Sequence, residues 1–439
     1  MHRVLSLIST VLATCVLLAA APTSAAPGDM DTTFGSGSGM VRTAIGTGDD
    51  RATAIALQPD GKIVVAGYCS NGNNDFCLAR YHPNGALDSS FDSDGTVITS
   101  IGPFTDNAYA IALQPDGKIV VAGACSNGSD WDFCVARYHS NGALDSSFNS
   151  TGTVITSIGS SDDIAQAIAL QPDGKIIVAG YCGSGSNKDF CLARYHTNGA
   201  LDFSFDSDGM VITPIGSSND FAQAIALQPD GKIVVAGHCW NGSNWDFCLA
   251  RYHSNGTLDS SFDSDGKVTT PIGSSNDEAY AIALQPDGKI VVSGACKNGS
   301  DWDFCLARYH PNGALDFSFD SDGKVTTPIG SFIDEVHAIA LQPDGKIVVA
   351  GYCLGASNSE FCLARYQGGP FGYQNCKLDI DGDGVVLATT DALIHARVAL
   401  GMTGSAVIRG VGFASHATRK TWPAIRDYLV GHCGMRLAP

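Results

Sequence analysis

Gln58-Pro59-Asp60-Gly61-Lys62 recurs unchanged from Gln114, Gln171, Gln228, Gln285 and Gln342, so the chain writes it six times, at one step of 56 residues and four of 57. An A-I-A-L run precedes each copy and an apolar run of the K-I-V-V type follows it. Proline presets the backbone for the first turn position, aspartate tolerates the second, and glycine supplies the left-handed residue. Each copy therefore reads as strand, tight turn, strand.

Working outward, residues 29–45 are a worn copy of a later segment, L-D-S-S-F-D-S-D-G-T-V-I-T-S-I from Leu87 to Ile101. The unit thus begins at L-D-x-S-F and ends at A-R-Y, and six units occupy residues 29–366. A period of this length with strand signals belongs to propellers rather than to solenoids of helix pairs. In the second unit the pattern predicts four strands, over residues 97–100, 108–114, 118–125 and 133–139. Runs such as I-V-V-A are apolar on both faces, as expected of a sheet covered on both sides. The predicted fold is all-β: a six-bladed β-propeller of six ~57-residue four-stranded repeats, followed by a small α-helical C-terminal domain.

Residues 1–3 form a short basic end, residues 4–21 an apolar core broken by Ser9, Thr10 and Thr14, and small residues lead to Ala25. This reads as a secretory signal peptide over residues 1–25. No later run approaches the ~18 apolar residues of a spanning helix, so the expected product is secreted or held at the cell surface without a membrane span. A net charge of −18 argues against nucleic acid as a partner. A monomer is expected.

Of fifteen cysteines, one (Cys15) lies in the leader. Twelve fall in close pairs inside the units: Cys69 and Cys77, Cys125 and Cys134, Cys182 and Cys191, Cys239 and Cys248, Cys296 and Cys305, Cys353 and Cys362. Cys376 and Cys433 bracket the tail. Regular pairs in an exported chain read as disulfides rather than zinc ligands, since CxxC spacing and histidine partners are lacking. Each repeat pair would join the third strand of its unit to the fourth at directly opposed positions. Closing a loop of about ten residues contributes roughly 2–3 kcal/mol on the chain-entropy model.

The units carry L-D-x-x-F-x-x-D-G, then A-x-A-x-Q-x-D-G-K-I-x-x-A-G, then F-x-x-A-R-Y. In this the chain resembles the delta-60 repeat family over residues 29–366. That resemblance implies a β-propeller of the kind found in secreted or surface bacterial proteins, and it implies no particular activity. The cysteine pairs are additional to the family's pattern.

Residues 367–375 form a Gly-rich linker. Residues 376–439 change character, with helical patterning over 391–402 and 418–429. The tail opens on Asp379-Ile380-Asp381-Gly382-Asp383-Gly384-Val385. Carboxylates at positions 1, 3 and 5, a glycine for the turn and a carbonyl at 7 suit a calcium loop. The segment resembles the loop of EF-hands and of dockerin-like modules. By that resemblance Asp379, Asp381 and Asp383 would ligate by side chain, Val385 by its carbonyl, and one calcium ion would be bound. Leu387 at position 9 offers no side-chain oxygen, and the closing acid, Asp391, falls one place late.

The D-S-D-G segments at Asp92, Asp206, Asp263 and Asp320 read as polar turns, because the equivalent Asn149-Ser150-Thr151-Gly152 would spoil a ligand set. His82, His139, His196, His253 and His310 read as surface or turn-packing residues, and the repeated arginine as the structural partner of a turn aspartate. No nucleophile elbow, zincin or phosphate-loop motif is present. The copies are near-identical, with their differences read mostly in loops. Trp131, Trp240, Trp245 and Trp302 sit in the variable loop between paired cysteines, beside asparagine and aspartate. Aromatic faces next to amides suit a glycan or protein partner. The sequence therefore favours a non-enzymatic binding or scaffold protein. Its rivals are a carbohydrate-active lyase or hydrolase with its site in the central channel, and a purely structural envelope spacer.

Overall fold

The computed structural model describes residues 30–368, apart from 331, 343–344 and 355–358, together with residue 425. The expected signal peptide, the expected helical domain with Cys376 and Cys433, and the expected calcium loop bearing Asp379, Asp381, Asp383, Val385 and Asp391 lie outside the described residues. No described helix is long and apolar enough to cross a membrane.

The repeated turn closes as its residues require. The Gly61 N–H donates to the Gln58 carbonyl and the Gln58 N–H to the Lys62 carbonyl, both at 2.9 Å. Gly61 sits at φ +83°, which completes a type I turn with a left-handed residue. The same two bonds recur in the other five copies.

In the first blade the inner strand Asp50–Leu57 pairs with Ile63–Ser70, then Asn74–Tyr81, then the short outer strand Thr96–Thr99, all antiparallel. Among the described residues five sheets have this four-stranded form, and the sixth has three strands, Asp334–Leu341, Ile347–Leu354 and Ser359–Tyr366. This corrects the phase of the repeat. The segment read as the first strand of the second unit is the outer strand of the blade before it. Each blade therefore straddles two sequence units. The physical reason is that antiparallel pairing, not the period, assigns a strand to a sheet.

The paired cysteines also sit differently from expectation. Cys69 stands opposite Asp75, and Cys77 opposite Gly67, so the six disulfides cross diagonally between second and third strands. Cα separations of 5.7–5.9 Å permit this. Six disulfides are the mark of an oxidising compartment.

Neighbouring blades pack face to face. In one interface Phe76, Leu78 and Phe91 meet Ile119, Val121 and Tyr138, and equivalent clusters join each blade to the next as far as the sixth. The Tyr138 hydroxyl lies 2.9 Å from Thr99 Oγ1 on the preceding blade. A buried ion pair anchors each outer strand. Arg137 Nε donates to Asp145 Oδ2 at 2.8 Å and Nη2 donates to Ser147 Oγ at 3.1 Å. Nη1 donates to the Thr197 carbonyl of the next unit. The guanidinium carbon lies 4.7 Å from the centre of the Phe148 ring. In the third to fifth blades the 2.8 Å contact persists, with the Nε–H less well aligned on its carboxylate.

A second buried aspartate begins most inner strands. Asp220 accepts the N–H groups of Ile215 at 2.7 Å and Gly216 at 3.0 Å. Burial pushes its carboxyl up to about 6, as it does that of Asp277. Burial also acts upward on Asp145, but the Ser147 donors and Arg137 outweigh it and hold the carboxyl at about 2.

Two predictions follow from these opposed groups. Stability from Asp145 and its equivalent Asp316 is complete above 3.8 and is lost as pH falls through about 2. Stability from Asp220 and Asp277 is complete below 3.8 and is lost as pH rises through about 6. Thermal melts across pH should therefore peak between these limits, and a flat profile would contradict the assignment. Arg137→Met, which leaves Asp145 with Lys118 at 3.5 Å and the two Ser147 donors, should cost about 1.5–3 kcal/mol in denaturant unfolding; a cost below about 1 kcal/mol would show the pair to be dispensable.

Candidate functional site

Each inner strand carries a β-bulge at the same place. Ala52 pairs with Gly67 and Ala54 with Ala66, which leaves Thr53 unpaired. The equivalent bulged residues are Tyr109, Gln166, Gln223, Tyr280 and His337. The glycine opposite makes this possible. A Cβ on Gly180 would stand 1.9 Å from the Ile164 carbonyl oxygen, and the other five glycines are as tightly placed. A bulge re-aims one side chain out of the alternation of its strand.

The bulged position is also where the near-identical units differ. Two neighbouring positions vary with it. Two residues before the bulge stand Arg51, Asn107, Ile164, Phe221, Glu278 and Glu335. Opposite these on the second strand stand Tyr68, Ala124, Tyr181, His238, Ala295 and Tyr352. A central cavity of about 370 Å³ is framed by alanine and isoleucine from all six inner strands, with Gln166, Gln223 and Tyr280 in its wall. The blade-specific residues thus gather at the end of the channel where the inner strands begin.

Their rings make a continuous track. Tyr181 meets Phe221 edge-on at 4.7 Å, and Phe221 meets His238 at 5.4 Å. His238 lies 6.2 Å from Tyr280, Tyr280 5.2 Å from His337, and His337 stacks on Tyr352 at 5.8 Å. Trp245 branches from this line, 5.3 Å from both Phe221 and His238, and carries it out to Trp240.

Carboxylates are set among the rings. The Tyr280 hydroxyl donates to Glu278 Oε2. Burial first, and the Glu278 charge second, push this phenol far up. Burial and Glu335 push Tyr352 up to about 12. His337 Nε2 is 3.7 Å from Glu335 Oε2. Burial pulls the His238 pKa down against the opposing pull of Glu278, and its buried Nδ1 has no partner among the described residues. Lys188 Nζ lies 5.1 Å over the Tyr181 ring.

The tryptophans singled out in the sequence are all half-buried. Trp240 and Trp245 join the track. Trp131 begins the third strand of its blade opposite Ser126. Trp302 donates its backbone N–H to the Phe332 carbonyl at 2.9 Å. The repeated histidines lie 3.4–3.6 Å from the aspartates that hold the arginines. The D-S-D-G segments are left-handed turns, and Asn149 and Ser150 keep the same conformation.

Sequence reasoning placed the differences in loops and missed the channel mouth. The signal was present in one column of the repeat, the x of A-x-A-I-A-L (V-x-A-I-A-L in the sixth copy), which runs Thr, Tyr, Gln, Gln, Tyr, His.

A search of the curated proteins returned no match. Among solved structures, Sqt1 from Chaetomium thermophilum is 13% identical, with 75% of this chain and 73% of that one covered at a TM-score of 0.37. An ulvan lyase is 10% identical, with 72% and 78% covered at 0.39. Puromycin hydrolase is 16% identical, with 73% and 46% covered at 0.40. Likenesses of this order carry no argument about activity. Residues 58–91, 114–148, 171–205, 228–262, 285–319 and 342–368 match the family described as "Domain of unknown function (DUF5122) beta-propeller", and these six matches support a repeat β-propeller.

Proposed function

We propose that this chain is an exported, non-enzymatic recognition module that binds a carbohydrate across the mouth of its central channel. The observation that carries this reading is the ring-to-ring track from Tyr181 to Tyr352, with Glu278 and Glu335 beside it and Gln166 and Gln223 in the channel wall. Sugar rings present apolar C–H faces and divergent hydroxyls. Aromatic faces take the first, and carboxylates and amides accept from or donate to the second. Strand-borne side chains hold such a set more rigidly than loops do. The net charge of −18 favours a neutral glycan over a polyanionic one.

One observation favours a second reading, a glycan-cleaving enzyme. The Tyr280–Glu278 contact and the His337–Glu335 contact bring groups of different protonation habit to one place, as general acid–base chemistry requires.

Affinity electrophoresis of the oxidised chain against neutral and acidic polysaccharides tests both. Phe221→Ala and Tyr280→Ala should each weaken binding of the retarding glycan about tenfold, a loss of about 1.4 kcal/mol, while Trp131→Ala leaves it unchanged. Binding that survives both substitutions, or no retardation by any glycan, would sink the proposal. New reducing ends that vanish in His337→Ala would instead establish the enzyme.

A further inference from the structure

The aromatic track is not uniform in charge. At its Tyr181 end Lys188 lies 5.1 Å over the ring, and its Nζ is already met by Asp162 Oδ2 at 3.3 Å. The far end, at Tyr280, His337 and Tyr352, carries two carboxylates and no such match. Glu278 and Glu335 occupy the same register position on the neighbouring inner strands Asp277–Leu284 and Asp334–Leu341. The equivalent residues of the other four blades are Arg51, Asn107, Ile164 and Phe221, so no other blade places an acid there. Both glutamates are half-buried. Among the described residues no lysine or arginine lies within ion-pair range of either. The one basic group that does is His337, with Nε2 3.7 Å from Glu335 Oε2.

The hydrogen-bonding groups of this end are equally one-sided. The Tyr280 hydroxyl donates to Glu278 Oε2, and the Tyr352 hydroxyl donates to Glu335. Both phenol protons are thus committed, while each carboxylate keeps room to accept more and has nothing to donate. His238 adds a third acceptor. It is 7% exposed, packed against Phe221 and Trp245 with Tyr280 beyond, and its Nδ1 has no partner among the described residues. The Ala279 carbonyl takes the proton of its other nitrogen, which leaves Nδ1 a bare lone pair. Two half-buried carboxylates beside such a lone pair are unfavourable until a positive, donor-rich group meets them. An ammonium brings three donors and no acceptor, and the faces of Tyr280 and Tyr352 attract a cation as well. A sugar hydroxyl brings an acceptor with its donor and leaves the charge uncompensated.

We propose that the Tyr280–Tyr352 end of the channel mouth selects a glycan with a free, protonated amino group, seated between Glu278 and Glu335. The proposal rests on the reading of the mouth as a carbohydrate site and names the substrate class within it, a hexosamine chain whose amines are not acylated. Acylation removes the charge and leaves one donor where the ammonium has three. The net charge of −18 draws such a polycation toward the protein, and the two glutamates fix where its amine is held.

Calorimetric titration of the full oxidised chain with oligomers of glucosamine and of N-acetylglucosamine, at a pH that protonates the amine, tests it. The amine-bearing oligomer should bind about tenfold or more tightly than its acetylated counterpart. Glu278→Gln and Glu335→Gln should each weaken the amine-bearing oligomer about tenfold and change binding of a neutral glycan less than about twofold. Phe221→Ala should weaken both ligands. Asp230→Asn removes the same charge at the opposite end of an inner hairpin and should change neither, and a cooperative melt shows each variant folded. Equal affinity for the two oligomers, indifference to both glutamine substitutions, or an equal loss in Asp230→Asn would overturn the proposal. Neutral-glycan binding that still needs Phe221 would in that case leave the carbohydrate reading standing, whereas binding of no glycan at all would overturn both.

Discussion

A buried guanidinium holds each of the first five blades to the next. Arginine carries five donors in a planar fork, and an unsatisfied one inside a protein is costly. Arg137 meets this demand with a carboxylate, a serine hydroxyl and a backbone carbonyl from the following unit, and stacks its plane over Phe148. Three separate segments are thereby fixed to one side chain. A one-residue slip of the third strand would turn that arginine to the opposite face of its sheet and leave Asp145 without its guanidinium. The ion pair therefore acts more on register than on net stability, the role for which buried polar groups are best suited.

Much of this was legible in the chain itself. Q-P-D-G-K specified its turn through the individual needs of proline, aspartate and glycine, and the strands of the second unit fall within about two residues of their expected bounds. The phase of the blades was not legible, because a repeating text has no intrinsic starting point; only the pairing of Ala79 with Thr96 and its neighbours decides where one sheet ends. The diagonal cysteines escaped for a related reason. Spacing along the chain gives loop length, whereas the register that puts Gly67 opposite Cys77 is set by the whole hairpin.

The channel mouth shows the same limit from the functional side. A-x-A-I-A-L looks like an ordinary buried strand, and nothing local announces that x is extruded from the ladder. The bulge exists because the glycine across from it lacks a Cβ, a contact between residues some fifteen positions apart in sequence. Once the bulge is recognised, the chain divides its labour. Nearly invariant positions build the blades, and a few positions on each inner hairpin give the blades different faces. The aromatic track runs through blades whose bulged residues are Gln166, Gln223, Tyr280 and His337, so its asymmetry resides in few side chains.

The offset between sequence unit and blade also bears on how such an array changes in length. A unit that ends at A-R-Y and starts again at L-D-x-S-F contributes its outer strand to the sheet before it and its remaining strands to the sheet after. Duplicating or deleting one whole unit therefore rejoins half-blades of identical design, and each new junction reproduces the arginine node and the tyrosine–threonine contact already present elsewhere. Growth or loss by whole copies leaves every local interface intact, and the number of blades becomes a property of the circumference, not of any one copy.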